Sequence, residues 1–247
     1  AAILQPPFFD AEAEAAVNYG AIGGVIGHEM GHGFDDQGAK SDAKGVLRTW
    51  WTPADVDAFQ KRTQVLVDQY STFEPLPGIK VNGKLTLGEN IGDIGGMNVA
   101  YEAYKLSLEG KPAEVISGYT GDQRFFLGWG QVWRTLYRDA ALRNQVMSDP
   151  HSPGMYRVNG VVRNIDAWYG AFGVKEGDAC AVLSESRTRP ELPNHEPRGC
   201  ARGASYSWYL YSANRVKYPM VRGRLLKSWR EARLANDPVQ AWASIVQ

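Results

Sequence analysis

Apolar and polar positions along this chain repeat mostly with the spacing of α-helices. The pattern predicts a mainly α-helical fold with small β-hairpins, in which segments rich in proline and glycine separate the helices. Hairpins are expected near residues 81–84 and 156–162, where Asn-Gly pairs favour tight turns. The predicted helices cover about residues 11–34, 52–71, 89–108, 122–146 and 165–172.

The first predicted helix is apolar on most of its sides. Residues 17–26 (VNYGAIGGVI) carry no charge and include several glycines. A helix without a polar face is buried, and glycines allow neighbouring backbones to approach it closely. Because glycine also weakens an isolated helix, this segment must depend on tertiary packing.

This helix ends in a pattern typical of a catalytic zinc site. His28 and His32 lie one helical turn apart and can bind one metal ion, with Glu29 beside it. Zn²⁺ accepts neutral imidazoles, and a catalytic zinc takes three protein ligands and leaves one position for water. A carboxylate next to the first histidine can take the proton of that water. The alternative is a pair of surface histidines on an ordinary helix.

A third ligand must come from elsewhere in the chain. A histidine six residues after His32 is excluded because that position is Gly38, and a glutamate about twenty residues downstream is excluded by Trp51 and Thr52. The next strong candidates are Glu89 and Asp93, one turn apart on a predicted helix. A glutamate can bind the metal while an aspartate one turn later holds a ligand histidine through its free ring N–H. The alternative is a solvated acidic helix start, which favours the helix dipole.

Four separated motifs, in the same order, resemble the neprilysin family of zinc metallopeptidases. The similarity covers roughly residues 1–178 and implies a thermolysin-like catalytic lobe. The motifs are residues 1–10 (AAILQPPFFD), His28-Glu29-x-x-His32 with Gly33-Phe34-Asp35-Asp36, Glu89-Asn90-Ile91-x-Asp93, and His151-Ser152-Pro153-Gly154 with Arg157.

The resemblance implies a role for each matched residue. One zinc ion per chain is held by His28, His32 and Glu89, while Asp35 and Asp93 hold the ligand histidines. Glu29 is the catalytic base, and Asp93 is counted with the catalytic residues. His151, also catalytic, can stabilise charge on the carbonyl oxygen. His151 and Arg157 contact the substrate, where the guanidinium of Arg157 suits a carbonyl or carboxylate.

The expected activity is that of a zinc endopeptidase. The resemblance implies hydrolysis of short peptides on the amino side of apolar residues, by attack of a zinc-bound water that a glutamate activates. It also implies an extracytoplasmic location. The alternative is a truncated, inactive zinc-binding module, because the family has a further N-terminal lobe with an Asn-Ala substrate-binding motif that is absent here. That lobe would be a partner of this chain.

Composition adds limits on partners and on domain organisation. Lys and Arg balance Asp and Glu at 27 each, so nothing indicates nucleic acid, and no apolar run has membrane-spanning length. We expect a catalytic lobe at residues 1–178 and an atypical extension at 179–247. Residues 184–205 are rich in Ser, Arg, Pro and Gly, which favours disorder. Cys180 and Cys200 match no zinc-site spacing.

Overall fold

A computed structural model describes residues 2–175 and residue 178, so the predicted extension at 179–247 lies outside the described residues. The mainly helical prediction is confirmed, and β-structure in the described part is limited to isolated antiparallel bridges. No helix in that part is long and apolar enough to cross a membrane. The α-helices are α1 (Ala15–Asn18), α2 (Gly24–Gly31), α3 (Pro53–Ser71), α4 (Leu87–Ser107), α5 (Gly121–Val132), α6 (Asp139–Ser148), α7 (Gly154–Val162) and α8 (Asp166–Phe172).

The first predicted helix is a composite of several helical segments. A π-helical turn at Tyr19–Gly23 joins α1 to α2, and a 3₁₀ turn at His32–Phe34 continues α2. A side chain at Gly20 would collide with the backbone carbonyl of Phe125. Gly20 therefore allows the π turn to lie directly against α5, and the metal-binding motif follows one helical segment later.

Helices α2 and α4 cross in close contact because glycines meet at the crossing. A methyl group at Gly27 would lie 2.7 Å from the Cα of Gly96. A methyl group at Gly92 would lie 2.8 Å from Nδ1 of His28. The absence of side chains at these positions brings the two backbones together and leaves room for the His28 ring against α4.

Large aromatic side chains fill the core behind this crossing. Trp129 of α5 is fully buried, and its Nε1 donates to the carbonyl oxygen of Arg157 on α7 at 2.7 Å. Burying one such side chain contributes about 2–3 kcal/mol. The core therefore fixes α2, α4, α5 and α7 around the site. Its other fully or nearly fully buried members include Ala16, Met97, Tyr104, Phe125, Val161 and Ile165.

Capping boxes mark the starts of two helices. Thr52 and Asp55 form a reciprocal capping box at the start of α3, near residue 52, where the sequence predicts that a helix begins. Thr120 and Gln123 form a second box at the start of α5. The prediction of one helix over 122–146 is wrong, because α5 ends at Val132 and α6 begins only at Asp139. Residues 133–138 leave the helix, and Trp133 and Thr135 lie close to Gly154 at the start of α7.

The hairpin predicted at residues 156–162 is also wrong, since this segment belongs to helix α7. The prediction rested on the pair Asn159-Gly160, a sequence that is common in tight turns. Gly160 serves packing instead, because a methyl group there would lie 2.6 Å from the hydroxyl of Tyr70. Phe73 and Tyr156 stack beside it with ring centroids 4.5 Å apart. The other expected hairpin, at 81–84, is a turn that leads into α4.

Candidate metal centre

The three predicted zinc ligands meet at the crossing of α2 and α4. Candidate ligand atoms of His28, His32 and Glu89 all lie within 4.8 Å of one another. Oε2 of Glu89 is 3.1 Å from Nε2 of His28 and 3.7 Å from Nε2 of His32. The helical spacing sets the two imidazoles on one face, and the glycine-lined crossing brings the first turn of α4 opposite them.

The residues present fit a zinc ion. Oε2 of Glu89 is buried and receives no hydrogen bond of acceptable geometry, although three imidazole nitrogens lie within 3.7 Å of it. A buried carboxylate oxygen without a donor is costly, and a cation would satisfy it. Two imidazoles and one carboxylate form a donor set that catalytic zinc sites use.

Each ligand histidine is held by an aspartate through its other ring nitrogen. Nδ1 of His28 is 2.8 Å from Oδ1 of Asp93, and Nδ1 of His32 is 2.7 Å from Oδ2 of Asp35. Asp35 is itself fixed, because its Oδ1 accepts from the backbone N–H groups of Gln37 and Gly38. These contacts leave both Nε2 atoms facing the candidate site, as metal-binding histidines require.

Glu29 follows His28 in α2 and is exposed. Among the described residues it has no hydrogen-bond or ion-pair partner in the structure. Its carboxylate is therefore free to accept a proton from water near the histidine pair, which is the property that a catalytic base needs.

His151 approaches the same carboxylate from the segment before α7. Its Nε2 is 3.0 Å from Oε2 of Glu89. Asp149, which the sequence analysis did not single out, accepts from the backbone N–H of His151 and lies 2.8 Å from its Nδ1. An acidic residue two positions before the histidine was the available signal. Asp149 thus aims Nε2 of His151 at the site.

Arg157, which the family resemblance assigns to substrate binding, is buried and paired with Asp93. Its Nε and Nη2 donate to the two carboxylate oxygens of Asp93 at 2.8 and 2.6 Å. Its guanidinium also lies 3.7 Å from the ring centroid of Trp133. Arg157 is buried and supports the aspartate that orients His28, and Nη1 is the one guanidinium nitrogen that Asp93 does not engage.

The charged groups shift one another's protonation in the metal-free site. Burial would lower the pKa of His28, but the carboxylates of Asp93 and Glu89 outweigh it and raise that pKa to about 9. Burial would raise the pKa of Glu89, but the imidazoles of His151 and His28 hold it below its ordinary value. The Glu89 carboxylate, against the effect of burial and with help from Asp149, raises the pKa of His151.

Asn90 and Ser152 form a buried polar pair next to the site that was not predicted from the sequence. Oγ of Ser152 donates to Oδ1 of Asn90 at 2.8 Å, and both residues are 1% exposed. Each belongs to a quoted motif, but no spacing rule connects two residues that are 62 positions apart.

A histidine pair on one helix, closed by a glutamate from a crossing helix, defines the class of HExxH zinc metallopeptidases. The chain belongs to peptidase family M13, whose sequence model matches residues 1–188. The neprilysin resemblance is thereby confirmed.

Known proteins with similar sequences include a neprilysin and an endothelin-converting enzyme. It is 44% identical to neprilysin-11 of Caenorhabditis elegans over 173 residues, which cover 68% of this chain and 20% of that protein. It is 44% identical to endothelin-converting enzyme 1 of Homo sapiens over 167 residues, covering 66% of this chain and 22% of the other.

Solved structures of zinc metalloproteases are similar as well. The crystal structure of the Mycobacterium tuberculosis zinc metalloprotease Zmp1 with an inhibitor is 55% identical with a TM-score of 0.73, covering 76% of this chain and 30% of that one. PepO of Lactobacillus rhamnosis is 38% identical with a TM-score of 0.65, over 75% of this chain and 28% of its own. The chain thus spans less than a third of the relatives named here.

Proposed function

We propose that this chain carries the zinc centre of an endopeptidase that hydrolyses short peptides on the amino side of apolar residues. The observation that carries the proposal is the convergence of the candidate ligand atoms of His28, His32 and Glu89, which all lie within 4.8 Å of one another. These three residues would hold one zinc ion. When bound, zinc polarises the substrate carbonyl and lowers the pKa of a water molecule.

Other residues of the chain carry out proton transfer, charge stabilisation and orientation in this proposal. Glu29 accepts the proton of the attacking water and passes it to the leaving amine. Nε2 of His151 donates to the oxygen on which negative charge develops, and losing one such donor typically costs about 100- to 1,000-fold in rate. Asp93 and Asp35 keep the ligand histidines in the required tautomer. Nη1 of Arg157 is available for a substrate carbonyl.

Peptide substrates also require a binding surface opposite the zinc. In the proposed enzyme an N-terminal lobe of the same protein supplies that surface, and the enzyme works outside the cytoplasm. The second candidate function is a zinc-binding module without hydrolytic activity.

Replacement of the base separates the two candidates. Glu29→Gln keeps the size of the side chain but cannot accept a proton, so zinc stays bound and hydrolysis of a fluorogenic peptide falls by at least about 100-fold. Glu102→Gln, an exposed glutamate on α4, is the matched control and keeps wild-type activity. Activity of Glu29→Gln within tenfold of wild type would exclude its role as base. A zinc-loaded wild type that stays inactive with the N-terminal lobe present would favour the binding module.

Metal analysis tests the ligand set independently of activity. We expect one zinc per wild-type chain, and Glu89→Ala should lose most of it during dialysis because two imidazoles alone remain. Full zinc occupancy in Glu89→Ala would remove Glu89 from the ligand set.

A further inference from the structure

The buried pair of Asn90 and Ser152 connects two parts of the site that are distant in sequence. Asn90 immediately follows the candidate ligand Glu89 on α4, and Ser152 immediately follows His151. The hydroxyl of Ser152 donates to Oδ1 of Asn90 at 2.8 Å. Each member of the pair is thus one peptide unit from a residue whose side chain faces the metal centre.

The pair continues into a chain of hydrogen bonds along α4. Nδ2 of Asn90 donates to Oγ1 of Thr86 at 2.9 Å, and that hydroxyl donates to the carbonyl oxygen of Asn82 at 3.1 Å. Asn90, Ser152 and Thr86 are 1%, 1% and 3% exposed. Because water does not compete for these groups, the amide of Asn90 has one orientation and presents its oxygen to Ser152.

The other contacts of His151 do not tie it to α4 in the same way. Asp149, which binds its ring and its backbone N–H, belongs to the same short segment and its side chain is 43% exposed. The ion pair with Glu89 uses the same oxygen that is assigned to the metal. The bond from Ser152 to Asn90 therefore joins segment 149–153 to α4 without using an oxygen that is assigned to the metal.

We propose that Asn90 and Ser152 are positioning residues that hold His151 at the correct distance from the metal centre. The inference rests on the proposed role of His151 as a donor to the developing negative charge. Such a donor acts only when it is well placed, and a displacement of about 1 Å can cost about 100-fold in rate. The pair fixes the backbone of the histidine segment to the helix that carries Glu89.

The first test is Ser152→Ala in the zinc-loaded full chain. We expect kcat for a short peptide to fall by about ten- to 100-fold, while KM stays within about twofold and zinc content is unchanged. Ser148→Ala is the matched control, because Ser148 is exposed and its hydroxyl donates only to a carbonyl of its own helix, α6. On α4, Asn90→Ala should resemble Ser152→Ala, and Asn98→Ala should not, since Asn98 is exposed and bonds only within the helix.

A comparison of Ser152→Thr with Ser152→Val covers the case in which Ser152→Ala does not fold. Threonine and valine have nearly the same shape, but only threonine keeps the hydroxyl. We expect kcat of the threonine variant to exceed that of the valine variant by about tenfold. Equal kcat values for the two variants would overturn the positioning role.

Combination with His151→Ala separates a positioning role from a purely structural one. If Ser152 acts through His151, Ser152→Ala causes no further loss of kcat once His151→Ala is present. An additional loss of the same size in that background would overturn the proposal. If His151→Ala itself leaves kcat unchanged, the role of His151 as a donor fails first, and that outcome is recognisable without the Ser152 variants.

Discussion

Replacement by alanine at two neighbouring glycines of α4 should change the stability of the protein in opposite directions. Gly95 is exposed, and a methyl group there would meet nothing within 4 Å. Gly96 faces α2, and a methyl group there would collide with the carbonyl oxygen of Gly24 and the backbone nitrogen of His28. The comparison isolates the close approach of the two helices, because both changes add one methyl group to the same helix.

The expected free energies follow from these surroundings. Gly95→Ala should stabilise the protein by about 0.8–1 kcal/mol, the difference in helix propensity between the two residues. Gly96→Ala gains the same helix propensity, but the added methyl group must push the backbones of α2 and α4 apart. Such overpacking typically costs about 1–3 kcal/mol. Since the colliding atoms are backbone atoms that cannot rotate away, we take the upper value and expect a net loss of about 2 kcal/mol.

Thermal unfolding of the zinc-free and zinc-loaded proteins measures both effects. In a chain of this size 1 kcal/mol shifts Tm by about 2–4 °C, so Gly96→Ala should lower Tm by about 4–8 °C while Gly95→Ala raises it slightly. A zinc titration against a competing chelator should show weaker binding only for Gly96→Ala, because its collision displaces His28. If Gly96→Ala were as stable as Gly95→Ala and bound zinc equally well, the argument from close helix contact would be refuted.

Two further predictions concern charge in the site. Asp93→Ala should destabilise the fold by about 3–5 kcal/mol because it leaves the buried Arg157 unpaired. Asp35 has no arginine partner among the described residues, so Asp35→Ala should mainly weaken zinc binding, by about ten- to 100-fold. Equal Tm values for the two variants would contradict this difference. Because the pKa of His28 is about 9 in the metal-free site, zinc must displace a proton at pH 7. Calorimetry in buffers of different ionisation enthalpy should detect that release, and zinc affinity should rise with pH until about 9; pH-independent affinity between pH 6 and 8 would refute it.

The sequence determined the parts of the site that depend on local geometry. The spacing of His28 and His32 sets both imidazoles on one helical face, because 3.6 residues complete a turn. Thr52 with Asp55 marked the start of α3 through hydrogen bonds within four residues. Glu89 and Asp93 were singled out by the same one-turn spacing, whereas Asp35 and His151 were predicted only through the motif match to the neprilysin family.

Tertiary structure alone decided how these pieces meet. The turn signal in α7 failed because Gly160 was needed to make room for Tyr70, a contact 90 positions away that no local pattern records. Arg157 became a buried partner of Asp93 for the same kind of reason. Distances such as those from Glu89 to the histidines depend on how closely α2 and α4 cross. That crossing is fixed by glycines on both helices at once, and a single segment of sequence does not specify it.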